Sequence, residues 1–151
     1  MRFTVFLLVL IGLTALVAQG QTISPLVGEC GGKKCSGQFT VTNNQILPMA
    51  VSIDVYAISF DASGNVVRHP LDATTHVKLS ETSARVAPRQ AHEFSYTASC
   101  DALPCVLGFG AVMSAGHVDN GIQAKLVLIT GLYICETQKG CRASVRAKYG
   151  L

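Results

Sequence analysis

The sequence predicts an all-β protein, an antiparallel β-sandwich of about seven strands. Segments that alternate polar and apolar residues follow one another between residues 38 and 134. Turn-forming residues separate these segments at spacings of about 8–12 residues. After residue 20, no segment has the apolar spacing of a convincing amphipathic helix. Because no internal repeat or low-complexity linker interrupts the pattern, a single domain is expected over residues 21–135.

The first half of the domain is expected to contain two strands followed by a hairpin turn. Residues 38–42 alternate, and residues 50–60 form a long strand with alternate apolar side chains on one face. Ile58 and Phe60 fall on the opposite face, which indicates a bulge or a second buried surface near the strand end. Residues 61–65 (DASGN) are typical of a hairpin turn, because Gly and Asn adopt the positive φ that such turns require.

The second half is expected to contain several short strands and one long final strand. Pro88 leads a turn over residues 85–90, and residues 119–121 (DNG) form a second strong turn. Gly108 and Gly110 lie inside an apolar segment and imply that another group packs closely against that strand. The predicted strands here are residues 66–67, 75–79, 92–97, 105–113 and 122–134.

Residues 1–20 are predicted to be a cleavable signal peptide. A positive start at Arg2 precedes an apolar run over residues 3–17, and the Ala-Gln-Gly sequence at 18–20 suits cleavage before Gln21. The apolar run is too short to be a good membrane span. We therefore expect a periplasmic or secreted protein with no stable membrane anchor, in a compartment where disulfides persist.

The charge of the chain gives no argument for nucleic-acid binding. Without Arg2, the mature protein has an excess of two positive charges (11 − 9), whereas phosphate binding needs a concentrated basic face. The one local bias is a basic C-terminal tail, residues 136–151, with Lys139, Arg142, Arg146 and Lys148. A solvated end is the favoured interpretation, and contact with membrane headgroups or an acidic partner is the alternative.

The six cysteines fall into three local couples, Cys30/Cys35, Cys100/Cys105 and Cys135/Cys141. Spacing alone does not choose among the possible connectivities. Local disulfides are favoured because glycine or proline in each short intervening loop permits a tight turn. A zinc site is the alternative, but such pairs in an exported protein are more often disulfides. The absence of a C-x-x-C motif gives no support to a thioredoxin-type redox role.

No recognisable catalytic motif is present in the sequence. It has neither G-x-S-x-G nor H-E-x-x-H, and the GECGGKK segment departs from a phosphate-binding loop in both spacing and final residue. We therefore assign no catalytic, cofactor-binding or metal-binding residue and predict that the protein is not an enzyme. The histidines are scattered without metal-ligand spacing, at His69, His76, His92 and His117.

The predicted strands resemble, in their order, the N-terminal domain of periplasmic pilus-assembly (PapD-like) chaperones. The resemblance covers residues 23–134 and implies an immunoglobulin-like β-sandwich. One part of it is the turn over residues 86–90 with Pro88, which resembles the family's proline-glycine-glutamine corner. The other segments that carry it are residues 23–25, 39–43, the long second strand, the 61–65 hairpin and residues 132–134.

The resemblance also implies a partner-binding strand. In this family the last long strand presents alternating apolar side chains to an incomplete pilin subunit, through β-strand addition. The residues that match this role are Ile122, Ala124, Leu126 and Leu128. The simpler alternative is that these side chains face the domain's own core.

Two features of the family are missing. Its chaperones clamp the terminal carboxylate of the client with a basic pair on the first and last strands. Residues 22–29 contain no basic residue, and Lys125 lies earlier in the last strand than the resemblance implies, with Thr130 and Gly131 near the expected position. The 17 residues after Ile134 (151 − 134) are also too few for the family's second domain.

Two hypotheses of function follow. The first is a non-enzymatic exported binding module, a reduced pilus or fimbrial assembly chaperone that engages a pilin-like subunit by β-strand addition. The second is a secreted structural or envelope-surface sandwich that associates with copies of itself. Neither hypothesis requires a cofactor.

Overall fold

The structure, a computed structural model, describes residues 20–115 and 125–151 and confirms the predicted immunoglobulin-like β-sandwich. The predicted signal peptide falls outside the described residues except for Gly20. Within the described ranges there are ten strands and one helix. They are β1 (Thr22–Ser24), β2 (Val27–Gly31), β3 (Lys34–Thr42), β4 (Met49–Phe60), β5 (Val66–His69), β6 (Thr75–Leu79), β7 (Ser83–Val86), β8 (Ala91–Cys100), β9 (Cys105–Ala115), β10 (Lys125–Cys135) and α1 (Cys141–Tyr149).

The strands form two sheets that pack face to face. The smaller sheet is antiparallel, with the order β1-β3-β8-β6. The larger sheet has the order β2-β10-β9-β4-β5, and β7 also pairs with β4. The chain crosses from the smaller sheet to the larger one between β1 and β2, around Pro25, so that β2 runs parallel to β10. The first strand of the domain is thereby divided between the two sheets.

The main core lies between the sheets and is centred on aromatic rings. Phe39 and Phe94, on neighbouring strands of the smaller sheet, stack with centroids 5.4 Å apart. Phe109 of the larger sheet lies 5.3 Å from Phe39 and 4.9 Å from Tyr96. These residues lie at alternate positions of their strands, so the alternation in the sequence correctly indicates the inner faces.

The outer face of the larger sheet holds a second buried cluster, as the positions of Ile58 and Phe60 predict. Tyr56 and Ile58 pack there under α1, while the pairing of β4 with β9 continues without a bulge. Gly108 makes this packing possible, because a Cβ atom at that position would overlap the Tyr56 ring. The prediction of close packing against the glycines of β9 is therefore confirmed.

Helix α1 departs from the sequence analysis, which expected no helix after residue 20 and a solvated end over residues 136–151. Cys141 and Val145 are buried against the larger sheet, and Tyr149 packs beside Phe60. Since these inward residues are spaced by four, they form one helical stripe. Glycines with positive φ bound the helix, Gly140 (φ 83°) before it and Gly150 (φ 69°) after it.

All three disulfides join the predicted local pairs, Cys30–Cys35, Cys100–Cys105 and Cys135–Cys141. Their Cα–Cα distances are 6.1, 6.6 and 5.5 Å, within the range that a disulfide spans. The three bridges lie at one end of the sandwich, because β2 ends, β3 begins, β8 ends, β9 begins and β10 ends there. In the described part of the chain, no helix is long and apolar enough to cross a membrane.

Candidate partner-binding edge

Strand β10 has neighbours on both sides only along its second half. Its pairing with β9 runs from Lys125 opposite Ser114 to Ile134 opposite Cys105. Its pairing with β2 begins only at Gly131. Residues 125–129 therefore have no strand on their outer side among the described residues, and we call this segment the open edge.

Two contacts define where the open edge stops. The Thr130 hydroxyl donates a hydrogen bond to the Pro25 carbonyl, and the Gly131 N–H donates to the Leu26 carbonyl at 2.9 Å. Thr130 is buried. These bonds attach the β1–β2 crossover to β10, so an incoming strand has access to β10 only before residue 130.

The backbone groups of the open edge alternate in direction. The Gly131 N–H points toward β2, and the register between β10 and β9 is unbroken. Since N–H and C=O groups point to alternate sides along a strand, Lys125, Val127 and Ile129 direct theirs toward the open side. Leu126 and Leu128 direct theirs toward β9. Among the described residues, these three therefore present donors and acceptors that no strand pairs with, in the pattern that an added strand requires.

The side chains of the open edge are unusually apolar for an exposed strand. Leu126 is 40%, Val127 44% and Ile129 37% exposed. Natural edge strands are commonly protected by charged residues, prolines or bulges, whereas Lys125 is the one charged residue here. The edge therefore lacks most of the features that prevent strand pairing with another chain.

The inner side of the open edge borders a groove with a volume of about 360 Å³. The groove opens next to Leu126 and lies between the edge, the start of β1 and the loop that joins β3 to β4. Its lining is mostly apolar with a polar rim: Gln21, Gln45, Leu47, Pro48, Met49, Met113, Lys125 and Leu126. The groove is wide enough to receive a side chain from outside the domain.

Asn43 shapes the loop that forms one wall of the groove. It is completely buried, and its side-chain amide donates to the carbonyls of Leu47 (2.8 Å), Val86 (3.1 Å) and Ala87 (3.2 Å). Its side-chain oxygen accepts a hydrogen bond from the Gln45 N–H at 3.0 Å. The sequence alone gives no sign of this role, because the bond from Asn43 to Val86 joins residues 43 positions apart and has no local signal.

The structure describes two of the four predicted binding residues, and the surroundings of these two side chains differ. Leu126 and Leu128 both lie on the inner face, but Leu128 is half-buried against the core while Leu126 borders the groove. Ile122 and Ala124 lie outside the described residues. Lys125 stands at the start of the open edge. The binding role of all four residues remains a prediction.

Polar contacts elsewhere in the described part of the chain do not form a recognisable catalytic site. The Ser59 hydroxyl lies 2.6 Å from His69 Nε2, and His92 Nε2 lies 2.7 Å from Glu81. Both pairs are exposed and they lie apart, Ser59 and His69 on β4 and β5, and His92 and Glu81 on β8 and the β6–β7 loop. Among residues 20–115 and 125–151, no group of three His, Cys, Asp or Glu side chains could hold a metal ion. Burial raises the pKa of Tyr56, so its phenol is neutral at physiological pH.

Comparison with solved structures shows that the chain shares its fold with an MSP-domain-like protein and with chaperone domains. Over 76% of this chain and 98% of the other, the structure matches SSP-19, an MSP-domain protein-like family member of Caenorhabditis elegans, with a TM-score of 0.55 and 10% identity. It matches the Escherichia coli chaperone DraB with a TM-score of 0.53, 14% identity and coverage of 77% and 55%. A chain of the Salmonella enterica SafA pilin–SafB chaperone complex gives a TM-score of 0.57, 13% identity and coverage of 80% and 56%.

These matches confirm the predicted resemblance at the level of the fold. At such low identity, a shared fold carries no function by itself. The chain spans little more than half of the chaperone chains but nearly all of SSP-19. No protein-family model matches the sequence, and no curated protein sequence matches it either.

Proposed function

We propose that the protein is a non-enzymatic exported binding module that takes up an extended segment of a partner protein by β-strand addition at the open edge. The observation that carries the proposal is the combination of unpaired backbone groups and exposed apolar side chains over residues 125–129. Main-chain bonds would supply affinity, and the groove beside Leu126 would select the side chain that enters it.

The expected interaction is modest but sufficient for specific binding. Each main-chain hydrogen bond contributes about 0.5–1.5 kcal/mol net. About two-fifths of the surface is exposed to solvent in each of Leu126, Val127 and Ile129. Burying this surface under a partner would contribute about 1 kcal/mol of binding free energy for each residue. Unpaired backbone and apolar side chains on one short segment therefore support recognition of an extended chain.

The partner that fits the first hypothesis is a pilin-like subunit, and the protein would then be a reduced pilus or fimbrial assembly chaperone. The solved neighbours named chaperones, one of them in complex with a pilin, support this by analogy of fold. The role does not require the family's basic pair, because the open edge offers its own pairing groups.

A second candidate is self-association, and the same edge supports it. If two open edges pair antiparallel about Val127, Lys125 of one copy lies opposite Ile129 of the other. No like charges then meet across the interface. Such pairing would make the protein a structural or envelope-surface component that assembles through the larger sheet.

A substitution at Leu126 separates binding from folding. We expect Leu126→Asp to keep a melting temperature near that of the unchanged protein, because the side chain is exposed, and to lose its partner. Val66→Asp is the matched control, since Val66 is also an exposed apolar residue but lies on β5, away from the edge. Capture of a stoichiometric pilin-like subunit from envelope extract by the tagged protein and by Val66→Asp, but not by Leu126→Asp, supports the chaperone.

The same proteins test the alternative. Concentration-dependent dimerisation in analytical ultracentrifugation that is lost in Leu126→Asp and kept in Val66→Asp supports self-association. Equal behaviour of both variants in both experiments would contradict a role for the open edge.

A further inference from the structure

We propose that the open edge recognises a short segment of a different protein that has apolar residues on both faces and an acidic residue opposite Lys125. The inference rests on the proposed function and adds the chemistry of the segment that is bound. Residues that lie opposite each other on neighbouring strands point to the same face of a sheet. Each position of the segment can therefore be identified by the residue of the open edge that it lies opposite.

The position opposite Leu126 points to the inner face of the larger sheet, where the groove lies. Met49 and Met113 are almost completely buried at this groove, and Leu47 beside them is half-exposed. Methionine side chains are flexible and adapt to apolar groups of different shapes. An apolar side chain of the segment is expected at this position, because it would cover the apolar walls of the groove.

The positions opposite Val127 and Ile129 point to the outer face of the larger sheet. On β9, Val112 lies opposite Val127 on this face, and Gly110 lies opposite Ile129 and has no side chain to cover it. Leu26, which is 70% exposed, lies where the open edge ends. Outward side chains of the added strand would pack beside this apolar surface, so these two positions also favour apolar residues.

The segment therefore has apolar surface to cover on both faces of the sheet, opposite Leu126, Val127 and Ile129. A strand with one face in water alternates apolar and polar residues, whereas a strand covered on both faces has apolar residues at consecutive positions. The segment that fits the open edge is of the second kind. It spans only residues 125–129, because the β1–β2 crossover covers β10 beyond them.

Lys125 determines the charge of the segment at the other end of the open edge. Within the described part of the chain it takes part in no ion pair, and no residue that lines the groove is acidic. The acidic residues that the described strands carry on the outer face are Asp54, two strands away on β4, and Glu29, which is bonded to Arg142. An acidic residue opposite Lys125 would form a cross-strand pair of opposite charge, which strengthens binding by up to about fivefold.

This charge distinguishes a different protein from a second copy of the chain. A second open edge, paired antiparallel about Val127, offers apolar residues on both faces but places Ile129 opposite Lys125. It covers the apolar surface and leaves the lysine without a partner of opposite charge. A segment that begins or ends with Asp or Glu meets both requirements, so a different protein is the occupant that fits the edge better.

Fluorescence anisotropy with labelled synthetic peptides tests the proposal on the exported protein with its disulfides intact. The parent peptide carries Glu, Leu, Val, Ala and Val opposite residues 125–129, between soluble glycine–serine ends. A second peptide has the same residues in reverse order, because an edge can pair with a strand of either direction. Replacement of both valines by serine, or of the leucine by serine, is expected to weaken binding at least about tenfold.

A charge exchange tests the role of Lys125. We expect the unchanged protein to bind the parent peptide more tightly than a peptide with Lys in place of Glu, and the Lys125→Glu protein to show the opposite preference. Arg85→Glu is the matched control, because Arg85 is also an exposed cation on the outer face but lies on β7, three strands away from β10. It should keep the preference of the unchanged protein.

Each outcome decides the proposal. Weaker binding with serine at the outward positions, together with the opposite charge preference in Lys125→Glu but not in Arg85→Glu, supports it. Full binding with serine at those positions, or one charge preference in all three proteins, would overturn it and leave strand addition itself intact. Binding of no peptide, or equal binding by Leu126→Asp, would contradict the proposed function and this inference together.

Discussion

Replacement of Val127 by proline should abolish partner binding and leave the domain folded. Proline lacks the N–H group, and at Val127 that N–H points to the open side of β10 rather than to β9. The substitution therefore removes no backbone hydrogen bond between described residues of the folded protein. Proline is tolerated on edge strands for this reason. An added strand, in contrast, would lose a central donor and would meet the pyrrolidine ring.

The expected effect can be estimated from the open edge. Loss of one main-chain hydrogen bond removes about 0.5–1.5 kcal/mol, and the ring prevents close approach of the adjacent pairs. Each 1.4 kcal/mol corresponds to about a tenfold change in affinity. We therefore expect binding of the captured partner, or self-association, to weaken by at least about tenfold. The free energy of unfolding should change by less than about 1 kcal/mol, because the strand keeps its pairing with β9.

Val77→Pro provides a matched control on the edge of the smaller sheet. Among the described strands, β6 pairs only with β8. The bond from the Ser80 N–H to the Ser95 carbonyl sets the alternation, so that the Val77 N–H points away from β8. Amide hydrogen exchange of the unchanged protein checks the geometry directly: Val127 and Ile129 should exchange rapidly, and Leu126 and Leu128 slowly. Slow exchange at Val127 in the free protein, or equal binding by the two proline variants, would refute the reasoning.

Three further substitutions test how the interior of the domain is packed. Leu128→Asp should unfold the domain, or lower its stability by several kcal/mol, because the side chain packs on the core, and thermal melting should separate it from Leu126→Asp. Gly108→Ala should cost about 1–3 kcal/mol in denaturant unfolding, since its methyl group would overlap the Tyr56 ring. Tyr56→Phe should leave the melting temperature unchanged or higher, because the buried hydroxyl has no hydrogen-bond partner among the described residues.

The parts of the fold that the sequence predicts are those with a local signal. The alternation in residues 50–60 and 92–97 places β4 and β8 and their inner faces, because neighbouring residues suffice to show a period of two. The close cysteine spacing likewise indicates the three disulfides. Helix α1 has a weaker signal, since only Cys141, Val145 and Tyr149 face inward and the rest of the segment is basic.

The open edge depends on pairings that no local pattern contains. Alternation in residues 122–134 predicts a strand, but it does not reveal that β2 covers that strand only from Gly131 onward. The crossover that ends the edge is held by a bond from Thr130 to Pro25, which are 105 residues apart. For the same reason, the sequence could not separate the half-buried Leu128 from the exposed Leu126.

All three disulfides lie at one end of the sandwich, and two of them join its two sheets covalently. Cys30–Cys35 joins β2 of the larger sheet to β3 of the smaller one, and Cys100–Cys105 joins β8 to β9 across the same gap. At the far end no disulfide joins the sheets; among the described residues they are connected there by side-chain packing, by the β3–β4 loop and by the hydrogen bonds from Asn43 to Val86 and Ala87. We therefore expect any transient separation of the two sheets to be larger beside the groove than at the disulfide-bridged end, where the covalent links hold β2 to β3 and β8 to β9.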